Sequence, residues 1–104
     1  METKLMMQQV AMLVTFKVKP EMSDVLKQAL VNDLTYARQE PGYVSMNLFA
    51  AQDEPNTLFL LERWQNQEAF DSHLSQPHTQ AVLKLTETAL AHPLEICSLS
   101  EWQT

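Results

Sequence analysis

Two histidines and three large aromatic side chains lie close together between Leu58 and His78, in the stretch LFLLERWQNQEAFDSHLSQPH. The stretch contains Trp64, Phe70 and His73, and it holds two of the three histidines and one of the two tryptophans of the chain. An imidazole can take up or release a proton near neutral pH, and aromatic rings commonly form the walls of ligand pockets. We therefore expect this stretch to supply much of any active site.

His73 is the strongest candidate for a catalytic group. It follows Phe70 by three positions and precedes Leu74 by one, so it lies near the apolar edge of a short predicted helix. A histidine at this position can act as a general base. It can also be a helix-end residue bonded to a backbone carbonyl, and the pattern alone favours this structural role, because an isolated histidine rarely indicates chemistry.

A metal site has little support in the sequence. His73 and His78 are five positions apart, which on one continuous helix separates them by roughly 140° around the axis. Pro77 could break that helix and let the two rings converge, but no third ligand follows at a recognisable spacing. The single glycine of the chain excludes glycine-rich phosphate and dinucleotide loops.

Polar residues on the predicted strands are further candidates. Glu62 shares a strand face with Trp64, where a carboxylate is costly unless it is paired, and we expect an ion pair, for example with Arg38, rather than a pocket acid. Tyr43 and Asn47 share one face of the preceding strand. Asn47 is a candidate polar anchor for a ligand, although a satisfied amide on the sheet face explains it equally well.

The composition indicates one small globular domain. The 104 residues can form one core, and with 45% hydrophobic and 19% charged residues the chain is not expected to be disordered. The net charge of −6 and the scattered basic residues exclude a nucleic-acid partner. The single cysteine, Cys97, suits a reducing compartment, and the N-terminal apolar run is far shorter than the ~20 residues of a membrane span. We expect a cytoplasmic protein without a membrane partner.

Prolines and the glycine separate segments of regular apolar periodicity. Residues 1–8 are predicted to be a flexible extension and residues 9–104 a single domain. Alternation predicts strands over about 9–19, 43–50, 58–64 and 94–102. Helical spacing predicts helices over about 23–39, 66–75 and 77–91, with Ser23 and Asn66 as N-caps. The recurring positions of the first helix are Leu26, Ala29/Leu30, Asp33/Leu34 and Ala37.

The order β-α-β-β-α-β predicts a ferredoxin-like α+β fold, in which two helices, the second continuing past Pro77, cover one face of an antiparallel sheet. The segments 10–14 and 58–61 are apolar on both faces, so the second sheet face carries an apolar patch too large for a soluble monomer. We therefore expect a second copy of the chain to pack sheet against sheet in a two-fold homodimer.

The segment 59–73, FLLERWQNQEAFDSH, and the Pro-His pair at 77–78 resemble the signature of the antibiotic biosynthesis monooxygenase domain. The sequence EPGY at 40–43 also matches a turn that is usual in that family. The resemblance spans about residues 10–102, and small bacterial quinol monooxygenase-like proteins are the most similar branch. It implies a homodimeric α+β barrel with a pocket between sheet and helices in each subunit.

The resemblance also implies an oxidoreductase that uses O2 on a small phenol or hydroquinone without a metal, flavin or other cofactor. In such chemistry the deprotonated substrate itself donates electrons to O2, so the protein supplies a base, a dry pocket and orientation. On this sequence, His73 would be the base or the hydrogen-bond partner of the phenolic oxygen. The pocket residues would be Trp64, Phe70, His78, Asn47 and Tyr43.

Other branches of the family fit less well. In the haem-degrading branch a conserved tryptophan and an iron-ligating histidine would fall on His73 and Leu83, and both residues are wrong here. The branch that isomerises a phosphorylated sugar derivative would need a basic cluster, and only scattered lysines are present. The remaining alternative is a non-catalytic dimer that binds a small apolar metabolite, with His73 in a structural role.

Overall fold

The computed structural model describes residues 9–102, which form a four-stranded antiparallel sheet and three α-helices. The sheet order is β2-β3-β1-β4. This arrangement confirms the predicted ferredoxin-like α+β fold, while the extension predicted at residues 1–8 lies outside the described residues. In chain order, the elements are β1 (Val10–Lys17), a 3-10 turn (Pro20–Met22), α1 (Ser23–Ala37), β2 (Tyr43–Ala50), β3 (Thr57–Trp64), α2 (Gln67–Leu74), α3 (Pro77–Ala89) and β4 (Glu95–Leu99).

The core lies between the central strands and the helices. The register places Val14 of β1 opposite Leu60 of β3. The helix-facing residues 12, 14 and 16 of β1 are buried, and so are their partners 62, 60 and 58 on β3. Helix α1 contributes Leu26 and Leu30, and α3 contributes Val82. Burying each large side chain contributes about 1.5–3 kcal/mol, so this layer holds the helices in place over the sheet.

Two of the helix starts follow directly from the sequence, and one prediction is wrong. The Asn66 side chain caps α2 by accepting a hydrogen bond from the Ala69 N–H at 2.9 Å, and Pro77 occupies the first turn of α3. Ser23, in contrast, is not an N-cap. The 3-10 turn runs straight into α1 and gives Ser23 helical backbone angles, so its buried hydroxyl has no hydrogen-bond partner among the described residues.

The connection between α1 and β2 is fixed by Gly42. This residue has a φ of +83°, a conformation that side chains disfavour, and a Cβ at this position would clash with the Ala69 side chain at the start of α2. Its carbonyl accepts a hydrogen bond from the Gln65 N–H at 2.7 Å. The turn that carries Glu40 is therefore held directly against the beginning of α2.

The sheet face opposite the helices carries an apolar patch and is uncovered in the single chain. Strand alternation places Leu13 and Leu61 on this face, together with Phe49, which is 53% exposed. Cys97 pairs with Leu13 in register and is exposed here rather than buried in the core, because no helix covers this side. Strand β4 ends at Leu99, earlier than predicted.

None of the helices within residues 9–102 combines the length and the apolar composition needed to cross a membrane.

Candidate active site

Five titratable side chains share one buried region, where α1, the end of β3 and the α2–α3 junction meet. They are Asp33 of α1, Glu40 of the following loop, Glu62 of β3, His73 of α2 and His78 of α3, and their side chains are only 2% to 15% exposed. No lysine or arginine of residues 9–102 lies within 4.0 Å of the three carboxylates. The two imidazoles are therefore the only groups in the cluster that can become cationic.

Glu40 connects the two histidines. Its Oε2 lies 2.9 Å from His73 Nδ1 and 2.7 Å from His78 Nε2. Each of these short contacts requires a proton between nitrogen and oxygen, so His73 Nδ1 and His78 Nε2 both donate to the carboxylate. In neutral His73 the proton is then on Nδ1, and Nε2 is the basic nitrogen. This arrangement is how a carboxylate orients a general base.

The basic nitrogen of His73 faces the other two carboxyl groups. Nε2 lies 3.9 Å from Glu62 Oε1 and 4.0 Å from Asp33 Oδ2, which is beyond hydrogen-bond distance. The Thr79 hydroxyl donates to Asp33 Oδ1 at 3.1 Å and lies 3.4 Å from His73 Nε2. Nε2 thus has no strong hydrogen bond within the cluster and remains available to a proton donor.

Trp64 fixes both Glu62 and His73. Its indole Nε1 donates to Glu62 Oε1 at 2.8 Å, and its ring centroid lies 4.5 Å from that of His73. Tyr43 packs edge-on against the other part of Trp64, with centroids 5.8 Å apart. Trp64 therefore holds the Glu62 carboxyl group and the His73 ring in fixed positions relative to each other.

Burial changes the acidity of two carboxyl groups. Removal from water raises the pKa of Asp33 and Glu62 above their ordinary values, and this effect outweighs the opposing interactions with His73. The hydrogen bonds from Thr79 and Trp64 also oppose the rise in pKa without cancelling it. These two acids therefore retain their protons to a higher pH than exposed carboxyl groups do.

A small cavity adjoins the cluster. Asp33, Glu62, His73 and Thr79 form its polar end, and the other walls are apolar side chains such as Phe70. Its volume is ≈ 40 Å³, which is enough for a water molecule, whereas a cavity of about 150 Å³ accommodates benzene. An aromatic ligand must therefore displace wall residues. Two of the wall residues also reach the surface: Ile96 is 51% exposed and Leu94 is half-buried.

The structure brings together four of the six residues that the sequence singled out. His73 and Phe70 line the cavity, Trp64 packs on His73, and His78 joins it through Glu40. Tyr43 contacts Trp64 but does not line the cavity.

Asn47 is not brought into the cluster. Its register partner is Leu61, so it lies on the sheet face that turns away from the helices, and it is exposed.

The expected ion pair between Glu62 and Arg38 is wrong, because Glu62 accepts from Trp64 and borders the cavity. Sequence reasoning did not assign Asp33, Glu40 or Thr79 to the site. For Asp33 a signal existed, since it falls within the apolar stripe of α1, where a carboxylate is unusual. Glu40 was visible only as part of the EPGY turn, and nothing in the sequence pointed to Thr79.

Comparison with known proteins places the chain in a family. The sequence profile described as antibiotic biosynthesis monooxygenase matches residues 9–85, a range that contains all five titratable residues of the cluster. The chain belongs to the antibiotic biosynthesis monooxygenase family. A relative is YcnE of Bacillus subtilis (strain 168), whose name provisionally assigns it to the monooxygenases; it is 29% identical over 80 residues, which cover 77% of this chain and 84% of YcnE.

Solved structures agree with this membership in the antibiotic biosynthesis monooxygenase family. Rv0793 from Mycobacterium tuberculosis superposes with a TM-score of 0.86 at 26% identity, covering 93% of this chain and 98% of Rv0793. PA3566 from Pseudomonas aeruginosa has a TM-score of 0.85 at 18% identity, with 94% of this chain and 98% of PA3566 covered. At the latter identity the similarity concerns the fold alone.

Proposed function

We propose that this antibiotic biosynthesis monooxygenase-family protein is a cofactor-independent monooxygenase that uses O2 on a small phenol or hydroquinone, with His73 as general base. The observation that carries the proposal is the contact of 2.9 Å between His73 Nδ1 and Glu40 Oε2. His73 also lines the cavity. A buried histidine held in this way has one defined basic nitrogen next to a cavity with apolar walls.

The first step in this proposal is proton transfer. The substrate hydroxyl gives its proton to His73 Nε2, and the imidazolium that forms is stabilised by Glu40. General-base catalysis of this kind contributes typically 10²–10⁴-fold to a rate. The resulting oxyanion is electron-rich, which prepares the substrate ring for reaction with O2.

The second step is oxidation of the anion by O2. A ring carbon forms a carbon–oxygen bond to O2, and the peroxide anion that results takes the proton from the His73 imidazolium to become a hydroperoxide. Loss of water then breaks the O–O bond and the C–H bond at that carbon, and a carbonyl group remains. Four electrons leave the substrate; one oxygen atom enters the product and the other leaves as water. The apolar walls around Phe70 and Val82 exclude bulk water from these intermediates. The proton held by His73 returns in the formation of the hydroperoxide, so the base is regenerated.

The test is O2 consumption with a panel of phenols and hydroquinones. Wild-type protein should consume O2 faster than the buffer and the heat-denatured protein do, because some hydroquinones oxidise spontaneously. His73→Ala should reduce the rate at least 10²-fold, whereas His92→Ala, a change at an exposed histidine, should have no effect.

Turnover that survives His73→Ala would remove His73 from the mechanism. If no compound is consumed while apolar ligands raise the melting temperature, the protein is instead the non-catalytic binding dimer that the sequence also allowed.

A further inference from the structure

We propose that Asp33, His73 and His78 form a binding site for one divalent transition-metal ion of the zinc type. Each residue offers one ligand atom, and the three atoms lie within 4.8 Å of one another. The sequence argued against such a site because no third ligand was visible near the histidines. The structure supplies this ligand from α1, 40 residues before His73 in the chain.

Binding of an ion requires the three ligand atoms to move closer together. His78 Nε2 lies 3.8 Å from Asp33 Oδ1, and His73 Nε2 lies 4.0 Å from Asp33 Oδ2. Ligands at about 2.0–2.2 Å from a tetrahedral ion are separated from each other by roughly 3.3–3.6 Å. A shift of less than an ångström brings each of these two pairs, which involve different oxygens of Asp33, to coordination distance. The three ligand atoms lie within 4.8 Å of one another, so no pair has to close by more than about 1.5 Å.

The charge balance of the cluster favours a cation. Asp33, Glu40 and Glu62 are buried carboxyl groups, and within residues 9–102 only the two imidazoles are close enough to neutralise them. A buried carboxylate without compensation is costly. A divalent ion supplies two positive charges at the centre of the cluster and needs no additional side chain.

The ligand atoms select the class of metal. Two imidazole nitrogens and one carboxylate suit zinc and its neighbours in the first transition row, whereas magnesium and calcium prefer oxygen ligands only. With three protein ligands, one position of a tetrahedral ion remains open. Because Asp33 and His73 both line the cavity, this open position would face the same space.

The surrounding hydrogen bonds already resemble those around metal ligands. Glu40 accepts from His73 Nδ1 and so orients Nε2 towards Asp33, and Thr79 donates to Asp33 Oδ1. His78 is the ligand that must move, because its Nε2 has to exchange Glu40 for the ion. It lies in the first turn of α3 after the break from α2, and its side chain is 15% exposed, the highest value in the cluster.

This inference goes beyond the proposed oxygenase activity, and it predicts competition with it. The nitrogen that would bind the ion, His73 Nε2, is the nitrogen proposed to act as the base. A bound ion would therefore inhibit the metal-free reaction. Because metal binding can be measured without any substrate, a failure of this inference is distinguishable from a failure of the proposed function.

The experiment is equilibrium dialysis of the untagged, chelator-treated protein against Zn²⁺, with the bound metal determined by mass spectrometry. We expect one Zn²⁺ per chain, weaker binding at pH 5 than at pH 7.5 because histidine ligands must lose their protons, and no retention of Mg²⁺. Asp33→Asn and His78→Gln should each weaken binding at least tenfold. The control His92→Ala should bind like the wild type.

Two results would overturn the inference: less than a tenth of an ion per chain, or Zn²⁺ binding that is unchanged in both Asp33→Asn and His78→Gln. Circular dichroism of each variant checks that it is folded. If either variant does not fold, the visible absorption of Co²⁺ bound to the wild-type protein decides instead. Intense bands indicate tetrahedral nitrogen and oxygen ligands, and weak octahedral bands would contradict the site.

Discussion

At the scale of single residues, the neighbours of His73 determine which of its ring nitrogens is basic and how the ring is held. Glu40 sets the tautomer, Trp64 packs against the ring, and Glu62 is itself held by the Trp64 indole. The side chains come from a loop, a strand and a helix, so their mutual distances are set by the fold. A histidine on an isolated helix would have none of these partners.

Replacement of Glu62 tests the effect of burial on the cluster. Burial raises the pKa of Glu62 above its ordinary value of 4.5, so above that pH the folded state binds more protons than the unfolded state. Its contribution to stability must then fall as the pH rises from about 4.5 to the raised pKa. Glu62→Gln cannot ionise and still offers an oxygen to Trp64. The free energy of unfolding of Glu62→Gln should therefore rise relative to wild type between pH 4 and pH 8.

Urea unfolding at a series of pH values measures this difference. The matched control is Glu87→Gln on the exposed side of α3, for which the difference from wild type should vary much less with pH. A constant difference between Glu62→Gln and wild type over the whole range would show that burial does not govern the ionisation of Glu62.

The sequence was sufficient to find some members of the site and not others. His73, Trp64, Phe70 and His78 lie within one short stretch, so local spacing was enough to group them. Asp33 and Glu40 come from a different part of the chain. Packing of α1 on α3 brings Asp33 to the site, the Gly42 turn against α2 brings Glu40, and no local pattern encodes either contact. Asn47 was assigned from its polarity, but its strand face points away from the cavity.

At the scale of elements, two breaks in regular structure position the histidines. Helix α2 ends at Leu74 and α3 begins at Pro77, so the rings of His73 and His78 approach to a centroid distance of 6.0 Å. The other break is the turn at Gly42, which brings Glu40 next to α2. Pro77 and Gly42 indicated both breaks in the sequence, although the direction that the chain takes after each break depends on tertiary contacts.

Gly42→Ala tests the importance of this turn. The positive φ costs an alanine about 1–2 kcal/mol, and the clash with the Ala69 side chain adds a cost of overpacking of about 1–3 kcal/mol. We expect a loss of about 2–5 kcal/mol in the free energy of unfolding, measured by urea denaturation. The double variant Gly42→Ala/Ala69→Gly removes the clash but retains the backbone strain. After subtraction of the cost of Ala69→Gly alone, its free energy of unfolding should recover part of the loss.

If Gly42→Ala has the same stability as wild type, neither the strain nor the clash is significant, and the turn does not position Glu40 in the way described.

At the scale of the whole molecule, the uncovered face of the sheet is the main unexplained surface. It carries Leu13, Leu61 and Phe49, and the single chain leaves it open to solvent. Strand alternation predicted this face correctly, because β1 and β3 are apolar on both sides. We propose that a second copy covers it in a two-fold homodimer, since a patch of this kind is unusual on a monomer.

The mass in solution tests this assembly. Light scattering at micromolar concentration should give about twice the chain mass of 11.9 kDa for the wild type. Leu61→Glu places a charge in the middle of the face and should give the monomer mass. The matched control Val31→Glu changes an apolar residue of α1 that is 48% exposed, and it should remain a dimer. A monomeric wild type would contradict the proposed assembly.

The proposed activity is tested most directly by the fate of the oxygen atoms. Metal-stripped protein is incubated with ¹⁸O2 and a hydroquinone that it consumes, and the product is analysed by mass spectrometry. A cofactor-independent monooxygenase places one ¹⁸O atom in each product molecule and the other in water, without any added metal. Product that contains no ¹⁸O and forms together with hydrogen peroxide, or a reaction that requires an added metal, would contradict the proposed function.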